Sequence, residues 1–479
     1  MSNRTSESTS ARAASAHPRL PRKIHMLGAG GAGLSGAARL LADAGHEVSG
    51  HDREASPFTK SLGAFGVDVK LGPSVAAHLP AGVELVARSA AVSDDDLQVC
   101  AARERGIEVI KYAELLGRLS PPDRTLAIAG THGKTTTTWM IYEALEAAGG
   151  PAPGTLVGGL HQARGVNAIS PDPTGWFAVE ACEYDRSFLQ LQPFGAIVTN
   201  FEEDHLDCYG SLEELERGFC RFVDRVSAEG LVVLGSEVPE AIAEAARGRV
   251  WRLGKEIQLD LLGQDRGYFR FQVRGPGWAT PEVQMSIPGR FNVEDAALAI
   301  ALAVGCAGVS PAAAARGVAE FPGAARRFEE WGVSGGVPVV HDYAHHPTEV
   351  RVTIEAARRA FPGRDLEVLF QPHQASRTAR HMEGFVEALR GTGRVVVSEV
   401  YGARKHIDRI EGADAETLAS KLRRAGVDAV AGSSLLDSCG RFVDGMKPNA
   451  CALVMGAGDI DTLKLDLLDA LALRFPSGS

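Results

Sequence analysis

Short apolar runs alternate with helix-length segments along most of the chain. The first set follows Arg22, where "KIHMLGAG", "EVSGHD", "VELVARSAA" and "GIEVIK" are separated by stretches such as "GLSGAARLLADAG". Strands separated by helices of this length form βαβ units around a parallel sheet. The pattern therefore predicts an α/β fold.

Two further stretches repeat this alternation. The second begins at "TLAIAG" and continues through "WFAVEA", "FGAIVTN" and "EGLVVLG", and the shorter "RFQVRGP" and "PEVQMSIPG" indicate an antiparallel insert. The third contains "VPVVHDYA", "DLEVLFQPH", "GRVVVSEVYGA" and "ACALVMGAG", and the two prolines of "RLSPPDR" mark a linker before the second stretch. We predict a disordered tail at residues 1–20 and three domains at residues 21–120, 121–324 and 325–479.

Composition narrows the class of protein. A chain of 479 residues is longer than one hydrophobic core usually grows, which agrees with several domains. Its net charge of −10 argues against a nucleic-acid surface, and no apolar run approaches the roughly 18 residues of a membrane helix. Seven cysteines without a C-x-x-C pair are typical of reduced thiols. We expect a cytoplasmic monomer or weak homodimer with no nucleic-acid or membrane partner.

The first glycine-rich turn, "GAGGAG", lies between a predicted strand and a predicted helix. Gly28, Gly30 and Gly33 fit the G-x-G-x-x-G pattern, and Asp52 ends the next strand. Such a turn brings backbone N–H groups close to a pyrophosphate at the start of a helix. The pyrophosphate of NAD and that of a nucleotide sugar both fit this turn, and a tight turn that binds no ligand remains an alternative.

The second glycine-rich turn, "GTHGKTTTT", carries a stronger signal. Lys134, between Gly133 and Thr135, can place its ammonium on the β- and γ-phosphates of a nucleotide, while the Thr135 hydroxyl joins a Mg²⁺ shell. Ile128 stands where the usual phosphate loop has its first glycine. Four consecutive threonines also disfavour a helix start, because β-branched side chains lose freedom in helices. Something other than helix propensity must therefore hold them there.

Acidic residues follow two of the predicted central strands. Ligands of open α/β sheets bind at the carboxyl ends of strands, and carboxylate oxygens there suit Mg²⁺. A solvated acidic loop and a structural histidine are the alternative. The candidates are Glu180, Glu183, Glu202, Glu203, Asp204, His205 and Asp207.

The third stretch contributes basic and histidine-rich segments. Arginines bind phosphate and carboxylate groups in bidentate geometry, although surface salt bridges are the simpler interpretation. Adjacent His345 and His346 cannot easily share one metal, so zinc is the weaker hypothesis. The candidates here are Arg326, Arg327, Asp342, His345, His346, His373 and Arg377.

Taken together, several separated motifs resemble the Mur ligases of peptidoglycan synthesis over roughly residues 22–460. The resemblance implies a three-domain Mur ligase-like α/β architecture, with a Rossmann-like N-terminal domain, a P-loop ATPase central domain and a Rossmann-like C-terminal domain. It also accounts for Ile128, since the family has a shortened G-T-x-G-K-T loop. The motifs are "GAGGAGLSGAA", "GTHGKTTTT", "EACEYDRSF", "TNFEEDHLDCYG", "PGRFNVEDA", "RRFEEWG", "HDYAHHPTEV" and "FQPHQASRT".

The resemblance also implies roles for individual residues. The UDP-sugar contacts it implies are Gly28, Gly30, Gly31, Ala32, Gly33, Ser35 and Asp52. The ATP contacts are Gly130, Thr131, Gly133, Lys134, Thr135, Thr136, Asn292, Arg326, Arg327 and Asp342, and the Mg²⁺ ligands are Thr135, Glu180 and His205. The amino-acid side of the site comprises Tyr343, His345 and Arg377, and the catalytic group comprises Lys134, His205, Arg327 and His345.

The activity implied is ATP-dependent ligation of L-alanine to UDP-N-acetylmuramate through an acyl phosphate. Sister ligases carry a modified lysine after the D-H-x-D segment, but residues 213–225 contain no lysine, which favours the alanine-adding branch. Three residues differ from the family's motifs and leave individual contacts open. Gln374 occupies the position of an arginine, His341 that of an aspartate and Asp295 that of an asparagine. The alternatives are a ligase that recycles a whole tripeptide onto the same sugar nucleotide, an NAD(P)-dependent dehydrogenase, and a nucleotide-regulated binding protein.

Overall fold

A computed structural model describes residues 20–402 and 410–476. Almost all of the predicted tail, residues 1–19, lies outside the described part. By its internal contacts the chain divides into two compact units, one ending at Pro121 and one beginning at Pro122. The predicted boundary at residue 324 falls inside the second unit, so the exact domain limits stay predictions. Within the described ranges, no helix is long and apolar enough to cross a bilayer.

The first unit is built on a five-stranded parallel sheet of strand order β3-β2-β1-β4-β5. The order places the first strand in the middle, so the loop that follows it opens at the centre of the sheet edge. The strands are β1 Lys23–Leu27, β2 Glu47–Asp52, β3 Asp68–Leu71, β4 Leu85–Arg88 and β5 Glu108–Lys111. The helices are α1 Ala32–Asp43, α2 Pro57–Leu62, α3 Leu97–Glu104 and α4 Tyr112–Leu119.

The central part of the second unit has a seven-stranded sheet of order β12-β11-β10-β6-β9-β7-β8. All neighbouring strands run parallel except β8, which pairs antiparallel with β7. Its strands are β6 Thr125–Ala129, β7 Gly154–Leu156, β8 Ala168–Ile169, β9 Phe177–Glu180, β10 Gly195–Val198, β11 Leu231–Leu234 and β12 Arg249–Arg252. Its helices are α5 Lys134–Ala147, α6 Leu206–Tyr209, α7 Leu212–Asp224, α8 Glu240–Glu244, α9 Arg290–Ala307 and α10 Pro311–Glu320.

The predicted antiparallel insert is present as a separate small sheet. It consists of β13 Gln258–Asp265, β14 Tyr268–Gly275, β15 Trp278–Ala279 and β16 Val283–Gln284. The central part also contains the Ala-rich helix α9, whose residues from Ala296 to Ala303 are almost inaccessible to solvent. Residues of α5, α9, the central sheet and the small sheet share one hydrophobic core, which fixes the position of the loop before α5.

The C-terminal part of the second unit has a six-stranded sheet of order β17-β18-β22-β19-β20-β21. Only β17 pairs antiparallel among these described strands, as an edge hairpin with β18. The strands are β17 Glu329–Ser334, β18 Val337–Asp342, β19 Asp365–Gln371, β20 Arg394–Val397, β21 Asp428–Ala431 and β22 Ala450–Gly456. The helices are α11 Pro347–Ala360, α12 Ala375–Arg380, α13 Met382–Leu389, α14 Ala415–Arg424, α15 Leu435–Gly445 and α16 Lys464–Arg474.

Candidate active site

The loop between β6 and α5 has the backbone shape of a phosphate loop. Gly130 and Gly133 adopt φ values of +134° and +82°, which side-chain-bearing residues rarely adopt. A Cβ atom at Gly130 would collide with the Thr199 hydroxyl, and one at Gly133 would lie 2.6 Å from an oxygen of Asp295. Both glycines are therefore required by conformation and by close packing. Helix α5 begins directly after Gly133, and the N-terminus of a helix is suited to binding an anion.

Two of the four threonines at the start of α5 form hydrogen bonds within the helix. The hydroxyls of Thr137 and Thr138 donate to the carbonyl oxygens one turn earlier, those of Gly133 at 2.9 Å and Lys134 at 2.7 Å. These bonds satisfy the buried hydroxyls, which need partners, while the packing of the buried side chains offsets the low helix propensity of threonine. Helix propensity does not explain the run of four threonines at this position. Their hydrogen bonds and their burial do.

Lys134 is held over the loop. Its Nζ donates to the carbonyl oxygens of Gly130 at 2.6 Å and Thr131 at 3.0 Å, and to the carboxylate of Glu183 at 3.0 Å. Burial alone would lower the pKa of Lys134, but the adjacent Glu183 outweighs it and raises that pKa above the usual value. The ammonium is therefore charged at neutral pH and lies where a nucleotide phosphate would meet the helix.

The three predicted Mg²⁺ ligands lie around this lysine. The Thr135 hydroxyl donates to Glu180 Oε2 at 3.0 Å, so the oxygens of two predicted ligands are adjacent. His205 Nε2 lies 3.6 Å from Glu183 Oε1, so His205 contacts the carboxylate that binds Lys134. Hydroxyl and carboxylate oxygens fit Mg²⁺. A shared ion among Thr135, Glu180 and His205 stays a prediction, and the Asp207 side chain lies outside the described atoms.

His205 has an unusual local conformation. Its φ is +54°, a left-handed value that costs a non-glycine residue energy and recurs at functional sites. Burial lowers the pKa of His205, with opposition from the carboxylates of Asp204 and Glu183. A neutral imidazole beside the phosphate loop can accept a proton or bind a metal.

The C-terminal domain brings Asp342 and the two adjacent arginines to the site. Asp342 is buried and accepts the N–H groups of Phe328 at 2.7 Å and Ala344 at 2.8 Å, while burial raises its pKa to about 6 against the opposing charge of Arg327. The guanidinium groups of Arg326 and Arg327 both lie against the ring of Tyr343, at 4.7 and 4.9 Å. Tyr343 therefore orients both arginines. Arg326 is also tied to the carbonyl of Gly458 at 2.7 Å.

Glu349, at the start of α11, connects the two domains. Its Oε2 accepts the backbone N–H of His345 at 3.0 Å and that of His346 at 3.2 Å, and its Oε1 lies 3.2 Å from His132 Nδ1 in the phosphate loop. Arg327 Nη1 lies 3.7 Å from the same Oε1. Burial would raise the pKa of Glu349, but the nearby histidines hold it well below the usual value. Glu349 is thus an ionised carboxylate that contacts both the phosphate-loop residue His132 and the backbone of the His345–His346 segment.

A second contact between the domains joins Asp204 to Arg377. Arg377 Nη2 donates to both carboxylate oxygens of Asp204, at 3.0 and 3.3 Å, and both side chains are almost buried. Arg377 Nη1 also lies 3.3 Å from His373 Nδ1. The predicted amino-acid contact at Arg377 is therefore fixed in place by a carboxylate of the central domain.

A cavity of about 280 Å³ lies between the central and C-terminal domains. Five of its lining residues are predicted ATP contacts, which the structure places around one space: Gly133, Thr136, Asn292, Arg327 and Asp342. The hydrophobic side chains of Ile287, Phe291 and Leu298 complete an apolar part. A cavity with an apolar part and converging polar groups beside a phosphate loop is suited to a nucleotide.

The first glycine turn lies in the other unit, which ends at Pro121. Gly28 has φ +82°, and the N–H of Gly30 donates to Asp52 Oδ2 at 2.7 Å. A Cβ at Gly33 would lie 2.5 Å from the ring of Tyr112. Asp52 therefore stabilises the turn itself in this arrangement. The remaining predicted UDP-sugar contacts lie where α1 begins: Gly31, Ala32 and Ser35.

Comparisons with known proteins agree with this architecture. Residues 23–122 match the Mur ligase family catalytic domain, residues 128–303 the Mur ligase middle domain, and residues 326–458 the Mur ligase glutamate ligase domain. A UDP-N-acetylmuramate–L-alanine ligase of Kineococcus radiotolerans is 40% identical over 465 residues, which are 94% of this chain and 97% of that protein. The chain belongs to the Mur ligase family. The predicted three-domain α/β architecture is thereby confirmed.

Solved structures of Mur ligases show the same fold. The UDP-N-acetylmuramate–alanine ligase of Thermotoga maritima superposes with a TM-score of 0.77 at 26% identity, covering 93% of this chain and 98% of that one. A murein peptide ligase of Psychrobacter arcticus superposes with a TM-score of 0.71 at 24% identity, covering 96% and 100%, which is a likeness of fold. As a Mur ligase, the chain is an ATP-dependent enzyme that forms amide bonds, and this assignment replaces the dehydrogenase hypothesis.

Two site residues of this Mur ligase were absent from the sequence-based set. His132 lies inside the phosphate-loop motif, and Glu349 lies inside "HHPTEV", so both stood in segments already singled out. The contact between His132 and Glu349 cannot be inferred from spacing, because the two residues are 217 positions apart. Glu349 also forms a capping box with His346 at the start of α11. From sequence alone, its position therefore indicates a helix cap and not a contact with another domain.

Proposed function

We propose that this Mur ligase joins L-alanine to UDP-N-acetylmuramate, with ATP converted to ADP and phosphate, in cytoplasmic synthesis of peptidoglycan precursors. The observation that carries the proposal is the cavity between the domains, which has the phosphate loop on one side and Arg327 and Asp342 on the other. Similarity to the alanine ligases of Kineococcus radiotolerans and Thermotoga maritima supports the choice of substrates. We further propose a monomer or weak homodimer.

The charged residues around the cavity fit the chemistry of such a reaction. A carboxylate does not react with an amine at neutral pH because oxide is a poor leaving group. Transfer of the γ-phosphoryl group to the muramoyl carboxylate gives an acyl phosphate, which the alanine amine then attacks. Phosphoryl transfer needs positioning and charge neutralisation more than a nucleophilic side chain. Lys134 and Arg327 supply positive charge from the two domains.

Mg²⁺ would be held by Thr135 and Glu180, with His205 as the third predicted ligand. Bound there, the ion would neutralise phosphate charge. The oxygen donors of Thr135 and Glu180, already 3.0 Å apart, fit that ion.

The amino-acid side of the proposed site lies on the C-terminal domain. Arg377 presents a guanidinium suited to the alanine carboxylate, and Asp204 fixes its orientation. The attacking amine must lose a proton, and His345 and His205 are the candidate acceptors. In the N-terminal unit, we propose that the turn at Gly28, Gly30 and Gly33 binds the UDP group.

Phosphate release measured with ATP, Mg²⁺ and UDP-N-acetylmuramate tests this proposal. We expect release with L-alanine that is absent without the sugar nucleotide, and Lys134→Ala should abolish it. L-serine and glycine, added in place of L-alanine, determine the amino-acid preference. Release with the whole tripeptide but not with L-alanine would refute the proposal in favour of a recycling ligase. ATP binding without any amino-acid-dependent release would indicate a nucleotide-regulated binding protein.

A further inference from the structure

Two buried histidine nitrogens lack a hydrogen-bond partner beside the phosphate loop. They are Nε2 of His132 and Nε2 of His346, in side chains that are 13% and 7% exposed. The two imidazole rings lie 4.9 Å apart between their centres. Buried polar atoms without partners are uncommon, and an ion bound at His132 Nε2 would supply that atom with a partner. Neither residue belongs to the predicted Mg²⁺ site.

Glu202 completes a set of three possible metal ligands with these histidines. Its Oε2 lies 3.6 Å from His132 Nε2 and 3.8 Å from His346 Nδ1. One ligand atom from each residue can be chosen so that all lie within 4.8 Å of one another. Zinc bonds of about 2.0–2.2 Å place tetrahedral ligands roughly 3.3–3.6 Å apart. His346 Nδ1 now accepts the backbone N–H of Thr348 at 3.3 Å, so binding an ion through Nδ1 would replace that hydrogen bond. Small side-chain adjustments would then bring the three atoms around one ion.

The surroundings of His132 match those of a metal-binding histidine. Glu349 Oε1 lies 3.2 Å from His132 Nδ1, which leaves Nε2 directed toward Glu202. Metal-bound histidines usually donate their second ring N–H to a carboxylate in this manner. The Thr348 hydroxyl likewise donates to Glu202 Oε2 at 2.7 Å and fixes that carboxylate.

We propose that His132, Glu202 and His346 form a transition-metal site, suited to Zn²⁺, that is separate from the Mg²⁺ of the nucleotide. Two imidazole nitrogens and one carboxylate favour Zn²⁺ over Mg²⁺, which prefers oxygen ligands. His132 and Glu202 belong to the central domain and His346 to the N-terminal end of α11, so a bound ion cross-links the two domains. The cross-link holds the cavity in its closed arrangement and makes Zn²⁺ an inhibitor of turnover.

Binding of Co²⁺ as a spectroscopic probe, followed by displacement with Zn²⁺, tests the site without reference to catalysis. We expect the full-length protein in excess Mg²⁺ to bind one equivalent of Co²⁺ with the visible absorption of a four-coordinate, imidazole-bound ion, and to exchange it for Zn²⁺. Glu202→Gln and His346→Gln should each weaken Zn²⁺ binding at least about tenfold, and Glu349→Gln about 10–100-fold through the orientation of His132.

Matched controls separate this site from general metal binding. Glu203→Gln changes the adjacent exposed carboxylate, and His381→Gln changes a histidine whose ring lies 4.7 Å from that of His346. Both should bind Zn²⁺ as the unmodified protein does. Circular dichroism without metal checks that each variant folds. If His346→Gln does not fold, Glu202→Gln still tests the site, because Glu202 is partly exposed. Equal Zn²⁺ affinity in the unmodified protein and in Glu202→Gln would overturn the proposal.

Inhibition is a second readout. Micromolar Zn²⁺ should slow phosphate release by the Glu203→Gln control but have a much weaker effect on Glu202→Gln, each compared with its own rate without zinc. If Zn²⁺ binds at the three residues but does not inhibit turnover, the metal site is supported and the proposed cross-link of the closed arrangement is wrong.

Discussion

Replacing Asp204 by asparagine removes one charge of the buried ion pair between the central and C-terminal domains. Arg377 would keep its position against His373 but lose its carboxylate partner, which now accepts from Nη2 at 3.0 and 3.3 Å. Asparagine is the same size and retains an oxygen that can accept the N–H of His205, now bonded at 2.8 Å. The change therefore tests the charge of the pair more than the local packing.

The magnitude follows from burial. The side chains of Arg377 and Asp204 are 8% and 10% exposed, so solvent screens the pair weakly. Removing one partner of a buried pair costs about 3–5 kcal/mol, because the other charge stays buried. The pair joins two domains, and part of this cost can be relieved when they separate. A cost of about 3 kcal/mol for the closed arrangement changes its population ratio roughly 100-fold.

Calorimetric titration with a non-hydrolysable ATP analogue and Mg²⁺ measures the consequence. The cavity has walls from both domains, so a less populated closed state lowers nucleotide affinity in proportion. We expect Asp204→Asn to weaken binding by about 10–100-fold and Glu203→Gln, at the adjacent exposed position, to leave it unchanged. In a double-mutant cycle, adding Arg377→Met to Asp204→Asn should recover part of the loss. Nucleotide affinity equal to that of the unmodified protein, at unchanged thermal stability, would refute the assigned role of the pair.

Three further changes test other parts of the account. Lys134→Met should lower the rate of phosphate release at least about 100-fold while UDP-sugar binding persists, as measured by enzyme assay and calorimetry; an active variant would disprove the phosphate role. Gly133→Ala should destabilise the chain more than Gly149→Ala, since both have positive φ but only Gly133 would clash with a neighbour, Asp295; equal melting temperatures would exclude that contact. Burial lowers the pKa of His25 from 6.5 to about 4, so the unfolded chain takes up a proton below pH 6.5 that the native unit does not. The contribution of neutral His25 to the free energy of unfolding is therefore complete above pH 6.5, and up to about 3 kcal/mol is lost as the pH falls toward 4. Calorimetry at pH 7.5 and pH 5 should show a smaller decline in stability for His25→Gln than for the unmodified protein. An identical decline would exclude His25 as its source.

The order of elements could be predicted from sequence because it depends on local pattern. "TLAIAG" followed by "GKTTTT" predicts a strand, a turn and a helix, and the structure has β6, two glycines at positive φ and α5. Residues at the ends of β6, β9 and β10 meet because adjacent parallel strands end at the same edge. This rule predicts that Glu180 lies near Lys134 and Thr135.

The charge partners could not be predicted from sequence, because they depend on how the domains pack. Glu183 was one of several acidic candidates, and nothing in its spacing distinguishes the carboxylate that binds Lys134 from the others. Glu349 and His132 meet across two domains, as do Asp204 and Arg377, which are 173 positions apart. A short motif predicts where a side chain leaves the backbone, and tertiary packing decides which group it contacts.

The central claim is that ATP activates the muramoyl carboxylate as an acyl phosphate in the cavity between the two domains. The most direct measurement uses UDP-N-acetylmuramate with ¹⁸O in its carboxylate, ATP and L-alanine, followed by mass spectrometry of the released phosphate. The account predicts that one ¹⁸O atom appears in each phosphate, because the carboxylate oxygen leaves with the transferred phosphoryl group. Formation of the amide product with phosphate that carries no ¹⁸O would contradict it.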